Sequence, residues 1–288
     1  MTPPILANAG PLLERYDVIF CDVWGVVHNG RRAYVEAGEA LARFRGRGGT
    51  VILVSNAPVP ADGVEIVLEK VGARRDTWDA IVSSGDIALR HIAEKGYTRL
   101  HRIGPANRDS RLFARLPGAG VDLTGAEAIV CTGLVDDLNE TVEDYRTLIE
   151  EGVALGLPFV CANPDLVVDV GENRHLCAGS IAAEYERRGG DVFWAGKPHA
   201  SAYRAARERA RALRGREPEL SRILAIGDAV RTDLAAAHGL GVDGLFIASG
   251  IHKEAVLKDA EIDAAGLAAL FAPPGTPPAV AAMAHLRW

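Results

Sequence analysis

Five short runs, almost wholly apolar and rich in β-branched residues, end at polar or glycine-bearing junctions: residues 17–22, 50–55, 79–83, 222–228 and 243–248. Continuous apolarity, rather than strict alternation, marks strands covered on both faces, so each run predicts a buried parallel strand. Between them lie stretches of helical periodicity, such as 36–45 after the first run and 64–71 after the second. Strands alternating with helices are the pattern of βαβ units, which predicts an α/β protein with a doubly wound, parallel, Rossmann-like sheet.

A second set of alternating elements falls between the third and fourth runs. It comprises the runs 98–103, 127–131 and 158–162 and a helical stretch over 141–155. Roughly a hundred residues with their own strands and helices are too many for one crossover and predict an inserted domain. The expected organisation is a discontinuous core, 1–83 with 191–288, interrupted by an α/β domain over 84–190. Residues 272–278, rich in proline and glycine, predict a surface segment leading to the C-terminal residues. No repeat at solenoid spacing is present.

Composition supports this picture. The 288 residues are 48% apolar and 24% charged, as in an ordinary protein able to bury a sizeable core, and two domains suit the length. A net charge of −6 without long runs of one sign gives no field to attract nucleic acid or an anionic membrane. The arginines between Arg204 and Arg216 alternate with alanine and Glu208, as on a solvated helix face. Cys21, Cys131, Cys161 and Cys177 are widely spaced with no metal-type pairing, which reads as buried reduced thiols. The chain shows neither a leader-like start nor a membrane-length apolar stretch, so a cytoplasmic enzyme is expected.

In open α/β sheets ligands bind beyond the carboxyl ends of the strands, which draws attention to the polar residues ending each run. Asp22 follows Val18-Ile19-Phe20-Cys21; Ser55 and Asn56 follow Val51-Ile52-Leu53-Val54; Asp228 follows Ile223-Leu224-Ala225-Ile226-Gly227, with Asp233 at the opening of a helix. Taken singly, each also reads as a cap or turn residue. Together, two carboxylates at 228 and 233 suit a hard cation such as Mg²⁺, which prefers oxygen ligands. Ser55 and Asn56 offer polar groups to phosphate oxygens. Lys197, in Gly196-Lys197-Pro198-His199 ahead of a helix, can neutralise phosphate charge. A P-loop is excluded there, because Pro198 stands where Ser or Thr is needed.

The ordered set of strand-Asp, strand-Ser-Asn, Gly-Lys-Pro and strand-Gly-Asp with a second Asp resembles the haloacid dehalogenase-like superfamily of hydrolases. It is most similar to the sugar- and nucleotide-phosphate phosphatases related to NagD and pyridoxal phosphatase. The resemblance runs from about Tyr16 to about His252 and includes Ser84-Gly85-Asp86, Ala162-Asn163-Pro164-Asp165 and Ala178-Gly179-Ser180 around an insertion in the position of that subfamily's cap.

The resemblance implies a sheet in which the Asp22 strand lies between those ending in Asp228 and Ser55. It implies that Asp22 attacks phosphorus to form an aspartyl-phosphate and that Asp22, the backbone carbonyl of Trp24, Asp228 and Asp233 hold Mg²⁺. Ser55, Asn56 and Lys197 would contact the phosphoryl oxygens, and Asn163 and Asp165 would be cap residues facing a small phosphorylated metabolite. His175 and Cys177 would line the way in. Relatives with this cap are often oligomers, which makes a homodimer the oligomeric expectation.

The family pattern is Asp-x-Asp, whose second aspartate shuttles the proton, whereas this chain has Asp22-Val23-Trp24. An indole N–H donates but does not titrate usefully. General acid–base help is typically worth about 10² to 10⁴ in rate, so a slow phosphatase is expected. His28 is the candidate substitute acid/base, against the plainer reading of a flap-stabilising histidine. Trp24 itself reads either as packing or as a platform for a ring of the substrate. Competing readings are a phospho-ligand binding or regulatory protein without turnover, and a phosphotransferase.

Overall fold

The structure is a computed structural model that describes residues 1–170 and 173–288. The chain forms two compact units, one from Met1–Ser55, Glu65–Val82 and Lys197–Trp288, the other from Asn56–Val64 and Ser83–Gly196.

The first unit carries a six-stranded sheet in the order Ala281–Met283, Asp243–Ile247, Ile223–Gly227, Val18–Cys21, Thr50–Ser55, Ala80–Ser83. The Val18–Cys21 strand pairs in parallel on both sides, with Cys21 opposite Ile226 and Leu53. All four of its residues are fully buried, which explains why the sequence shows an unbroken apolar run there. The expected placement of the Asp22 strand between those leading to Asp228 and Ser55 is what the sheet shows.

Helix Ala200–Arg214 buries Ala202, Tyr203, Ala206 and Ala210 at helical spacing, and the Tyr203 ring packs on Phe20 with centroids 5.3 Å apart. Arg204, Arg209 and Arg211 face outward as expected and Arg207 and Arg211 meet Glu217, whereas Arg214 turns inward to the Asp17 carbonyl and the Thr50 hydroxyl. Because this helix begins just after Lys197 and is anchored beneath the Asp22 strand, it fixes where that lysine enters.

The second unit has its own four-stranded parallel sheet, in the order Leu100–Ile103, Ala128–Cys131, Phe159–Cys161, Val192–Trp194. Successive residues point to opposite faces, and each face has its own core. Leu100, Ala128, Val130 and Val160 join Ala88 and Ile92 on one face, while Ile103, Ile129, Cys131 and Phe159 join Ile149, Ile181 and Tyr185 on the other. An antiparallel pair, Val167–Val170 with Asn173–Leu176, lies outside this sheet. The predicted helix over 141–155 resolves into a 3₁₀ turn, Val142–Tyr145, capped by a reciprocal Thr141–Asp144 box, and an α-helix, Arg146–Ala154.

Of the strands in the two parallel sheets, two escape the sequence reading, Val192–Trp194 and Ala281–Met283. Each has only three residues, too short to display a period. The first carries the second sheet's territory past residue 190. The second turns the C-terminal residues after the proline-rich segment into an edge of the main sheet. The four cysteines are free and buried, and among the described residues no helix is long and apolar enough to cross a membrane.

Candidate active site

At the carboxyl edge of the first unit's sheet the chain reverses direction of travel across the sheet. The Val18–Cys21 strand is followed on one side by Thr50–Ser55, while Ile223–Gly227 returns on its other side. Such a switch point leaves a crevice between diverging connections, where ligands of doubly wound sheets bind. Asp22, Ser55 and Asp228 leave the sheet or close their strands at this edge.

Asp22, Asp228 and Asp233 each bring one carboxylate oxygen within 4.8 Å of the others. Lys197 Nζ donates to Asp22 Oδ1 at 2.5 Å and to Asp233 Oδ1 at 2.8 Å, so one ammonium bridges two of the three acids. The second Asp233 oxygen accepts the Ala229 N–H (3.1 Å), and Asp228 Oδ2 accepts the Ile251 N–H (2.8 Å). Asp233 is almost completely enclosed and acts as the inner anchor, whereas Asp22 keeps 9% of its surface open.

Three carboxylates against one ammonium leave surplus negative charge in a poorly hydrated place. Burial, which Lys197 opposes and Asp233 reinforces, pushes the Asp22 carboxyl up to about 7. Burial and the repulsion of Asp22 and Asp233 raise Asp228 well above the usual carboxylate range. For Lys197 burial pulls the other way, but its two carboxylate partners outweigh it and hold it protonated. The donor set is all oxygen, convergent and short of positive charge, which fits a hard divalent cation.

Backbone shape makes room for this cluster. A Cβ on Gly250 would lie 1.7 Å from Asp228 Oδ2, and one on Gly25, held at φ +86°, would lie 2.2 Å from the same atom. Only glycine admits the Asp228 carboxylate from both sides. Gly25 sits beside Asp22 in the recognised motif. The 249–251 loop that supplies Gly250 and the Ile251 N–H follows no motif and could be found only from the fold.

Trp24 and His28 belong to a tight flap after Asp22. The Gly25 N–H donates to the His28 carbonyl, and the His28 N–H to that of Val23. Trp24 retains 39% exposure, its indole meeting the His28 ring edgewise with centroids 5.2 Å apart. His28 is buried, its Nδ1 accepts the Gly30 N–H at 2.9 Å, and burial lowers its pKa to about 4. The imidazole is therefore a fixed, neutral acceptor within the flap.

The remaining candidates lie in the second unit. Asn56 Nδ2 donates to Asp165 Oδ1 at 2.8 Å, while its Oδ1 lies 3.5 Å from the Ser84 hydroxyl. Asn163 Oδ1 accepts the Asp165 N–H at 3.2 Å, the turn expected of that Asn-Pro-Asp sequence. The structure thus brings Asn56, Asp165 and Ser84 into one network. His175 contacts the Asp137 carbonyl (3.2 Å), and Cys177 is a buried thiol raised by burial to about 12.

Fold and site together define a doubly wound α/β protein with an acidic, cation-suited centre at its switch point. Residues 19–115 match the haloacid dehalogenase-like hydrolase family, and residues 194–271 match the HAD-hydrolase-like family. A solved structure of a haloacid dehalogenase-like hydrolase from Brucella suis 1330 is 39% identical, with 98% of this chain and all of that one covered and a TM-score of 0.84. A possible sugar phosphatase from Cytophaga hutchinsonii superposes with a TM-score of 0.77 at 20% identity, covering 98% of both chains. The ribonucleotide monophosphatase NagD of Escherichia coli K12 is 24% identical over 240 residues, 81% of this chain and 88% of that protein. The chain belongs to the haloacid dehalogenase-like hydrolases.

Proposed function

We propose that this chain is a Mg²⁺-dependent phosphatase of small phosphate monoesters, with the first unit as catalytic core, the second as cap, and Asp22 as nucleophile. The observation that carries the reading is the convergence of Asp22, Asp228 and Asp233 around Lys197 at the switch point of a haloacid dehalogenase-like sheet. NagD, a ribonucleotide monophosphatase by name, supports phosphate esters as the substrate class.

Asp22 is the acid with most access to solvent, and Lys197 opposes the rise in its pKa that burial causes. It attacks phosphorus in line, the ester bond breaks, and an aspartyl-phosphate forms that water then hydrolyses, splitting one hard step into two. Lys197 donates to the phosphoryl oxygens, and Ser55 contributes from the neighbouring strand end. A bound divalent cation, held by Asp22, the Trp24 carbonyl, Asp228 and Asp233, would neutralise charge on the phosphoryl group. Asp233 keeps Lys197 in place from behind.

Proton transfer is the weak step. Trp24 occupies the place of the family's second aspartate and cannot titrate, and a neutral His28 tied to Gly30 suits flap stabilisation better than proton shuttling. Turnover is accordingly slow, or confined to leaving groups that depart without protonation. Asn56, engaged with Asp165, is read as a positioning residue near Ser55 in sequence rather than a phosphate contact. Asn163 and Asp165 keep the role the resemblance gives them, influencing substrate choice.

The test is phosphate release from a panel of phosphate monoesters with and without Mg²⁺, using Asp22→Asn as control. Release that needs both Mg²⁺ and Asp22 is expected. Release independent of either defeats the reading, and tight binding of phosphate esters without release would favour a phospho-ligand binding protein.

A further inference from the structure

Trp24 is not packed away. It keeps 39% exposure, although it sits within two residues of the buried Asp22. A tryptophan serving only to fill space would be enclosed, since exposing its surface forfeits the burial that makes it useful in packing.

Its ring is nevertheless held firmly. Along one edge lies Gly30, at φ +82°, where a Cβ would come within 2.4 Å of the indole Cη2 and 3.0 Å of Cζ2. Against it at a steep 73° stands the His28 ring, itself fixed by the Gly30 N–H. Neutral His28 brings no charge to the indole. An exposed ring braced at its edge is a preorganised surface, with little entropy left to lose when another ring settles on it.

The neighbouring loop has the same character. The residue 25 and residue 250 backbones touch, a Cβ on Gly25 falling 3.2 Å from Gly250 Cα, and the adjoining Ile251 is 40% exposed. The two loops that embrace the Asp228 carboxylate therefore each end in an open apolar side chain, while the carboxylates below them are polar and enclosed.

We infer that Trp24 is a stacking platform for the leaving group, which makes the preferred substrates phosphate monoesters of planar aromatic alcohols. The inference rests on the phosphatase reading for its chemistry. It also gives a physical sense to the loss of an acid at this position, because an aryloxide, with its oxygen bonded directly to the ring, is stable enough to leave without a proton. The P–O bond to the aryl oxygen breaks, the electron pair stays on that oxygen, and the phosphoryl group passes to Asp22.

Two measurements separate this inference from the reading beneath it. The first is binding of benzylphosphonate against methylphosphonate, neither of which can be hydrolysed at its P–C bond, followed calorimetrically in Mg²⁺. Wild type is expected to prefer the aromatic ligand, Trp24→Phe to retain most of that preference, and Trp24→Ala to lose about threefold to tenfold of it, the range set by an aromatic pair. Gly30→Ala, whose new Cβ displaces the ring, should lose preference in the same direction. The second is the kcat/KM ratio of phenyl phosphate to glycerol phosphate, which should fall by a similar factor in Trp24→Ala through KM more than kcat. An aromatic preference unchanged by Trp24→Ala and Gly30→Ala, or none in wild type, overturns the platform even if the enzyme hydrolyses esters well. Preference that depends on Trp24 without any turnover sustains the platform and sinks the phosphatase reading alone.

Discussion

Buried charge is handled in opposite ways in the two units. In the second, Asp109 is completely buried but met on both oxygens by Arg108, which also reaches Asp137 at 2.5 Å. In the first, Asp22, Asp228 and Asp233 cluster around one lysine that bonds only Asp22 and Asp233, and burial and mutual repulsion raise Asp22 and Asp228 above ordinary carboxylates. Matched charge holds a loop in place, whereas unmatched charge costs stability and persists where a ligand or reaction needs it. The difference supports the proposal that the first unit carries the chemistry, without reference to any motif.

The comparison can be broken at its strongest point. Asp22→Asn should lower phosphate release by several orders of magnitude, as expected when a covalent nucleophile is lost. Thermal unfolding without metal should show the same variant unharmed or stabilised, because one surplus negative charge is gone. A large loss of stability would mean that Asp22 belongs to a matched structural pair after all.

Trp24→Asp restores a titratable group two residues beyond the nucleophile. Turnover on alkyl phosphate esters, measured by steady-state kinetics, should rise by up to about 10² to 10⁴. No gain would move the slow step away from proton transfer.

The matched pair predicts the reverse of Asp22. Asp109→Asn leaves Arg108 short of a partner and should cost about 2 kcal/mol in denaturant unfolding, discounted from a fully buried pair because Arg108 is half exposed. Stabilisation by this change would erase the contrast between the units.

The smallest effect concerns His91, stacked on Phe193 with centroids 3.5 Å apart in the second unit. Burial, helped by Lys95 and opposed by Glu94 and Asp191, lowers its pKa. The folded state then binds fewer protons than the unfolded one. The stabilisation is full above the ordinary histidine value of 6.5 and is lost as pH falls through the lowered value. Melting temperatures between pH 8 and pH 5 should fall less in His91→Phe than in wild type; equal slopes would show that His91 is not the group responsible.

Much of this could be read from the chain because its strands are buried on both faces. Val18-Ile19-Phe20-Cys21 and Ile223-Leu224-Ala225-Ile226 advertise themselves as apolar runs, and their polar ends point to Asp22 and Asp228. Pairings between distant residues could not be read. That Lys197 bridges Asp22 and Asp233, that Asn56 turns to Asp165, and that Gly250 opens a space for Asp228 all depend on contacts across long stretches of sequence. The state of Trp24 was equally hidden, since packing and platform call for the same residue and differ only in exposure.

The most direct test of the central claim is mass spectrometry of enzyme quenched in acid during turnover of a phosphate ester. A phosphoryl group on the peptide containing Asp22 is predicted, dependent on Mg²⁺ and absent in Asp22→Asn. Phosphate release with no phosphoryl group on that peptide, undiminished in Asp22→Asn, would contradict the account.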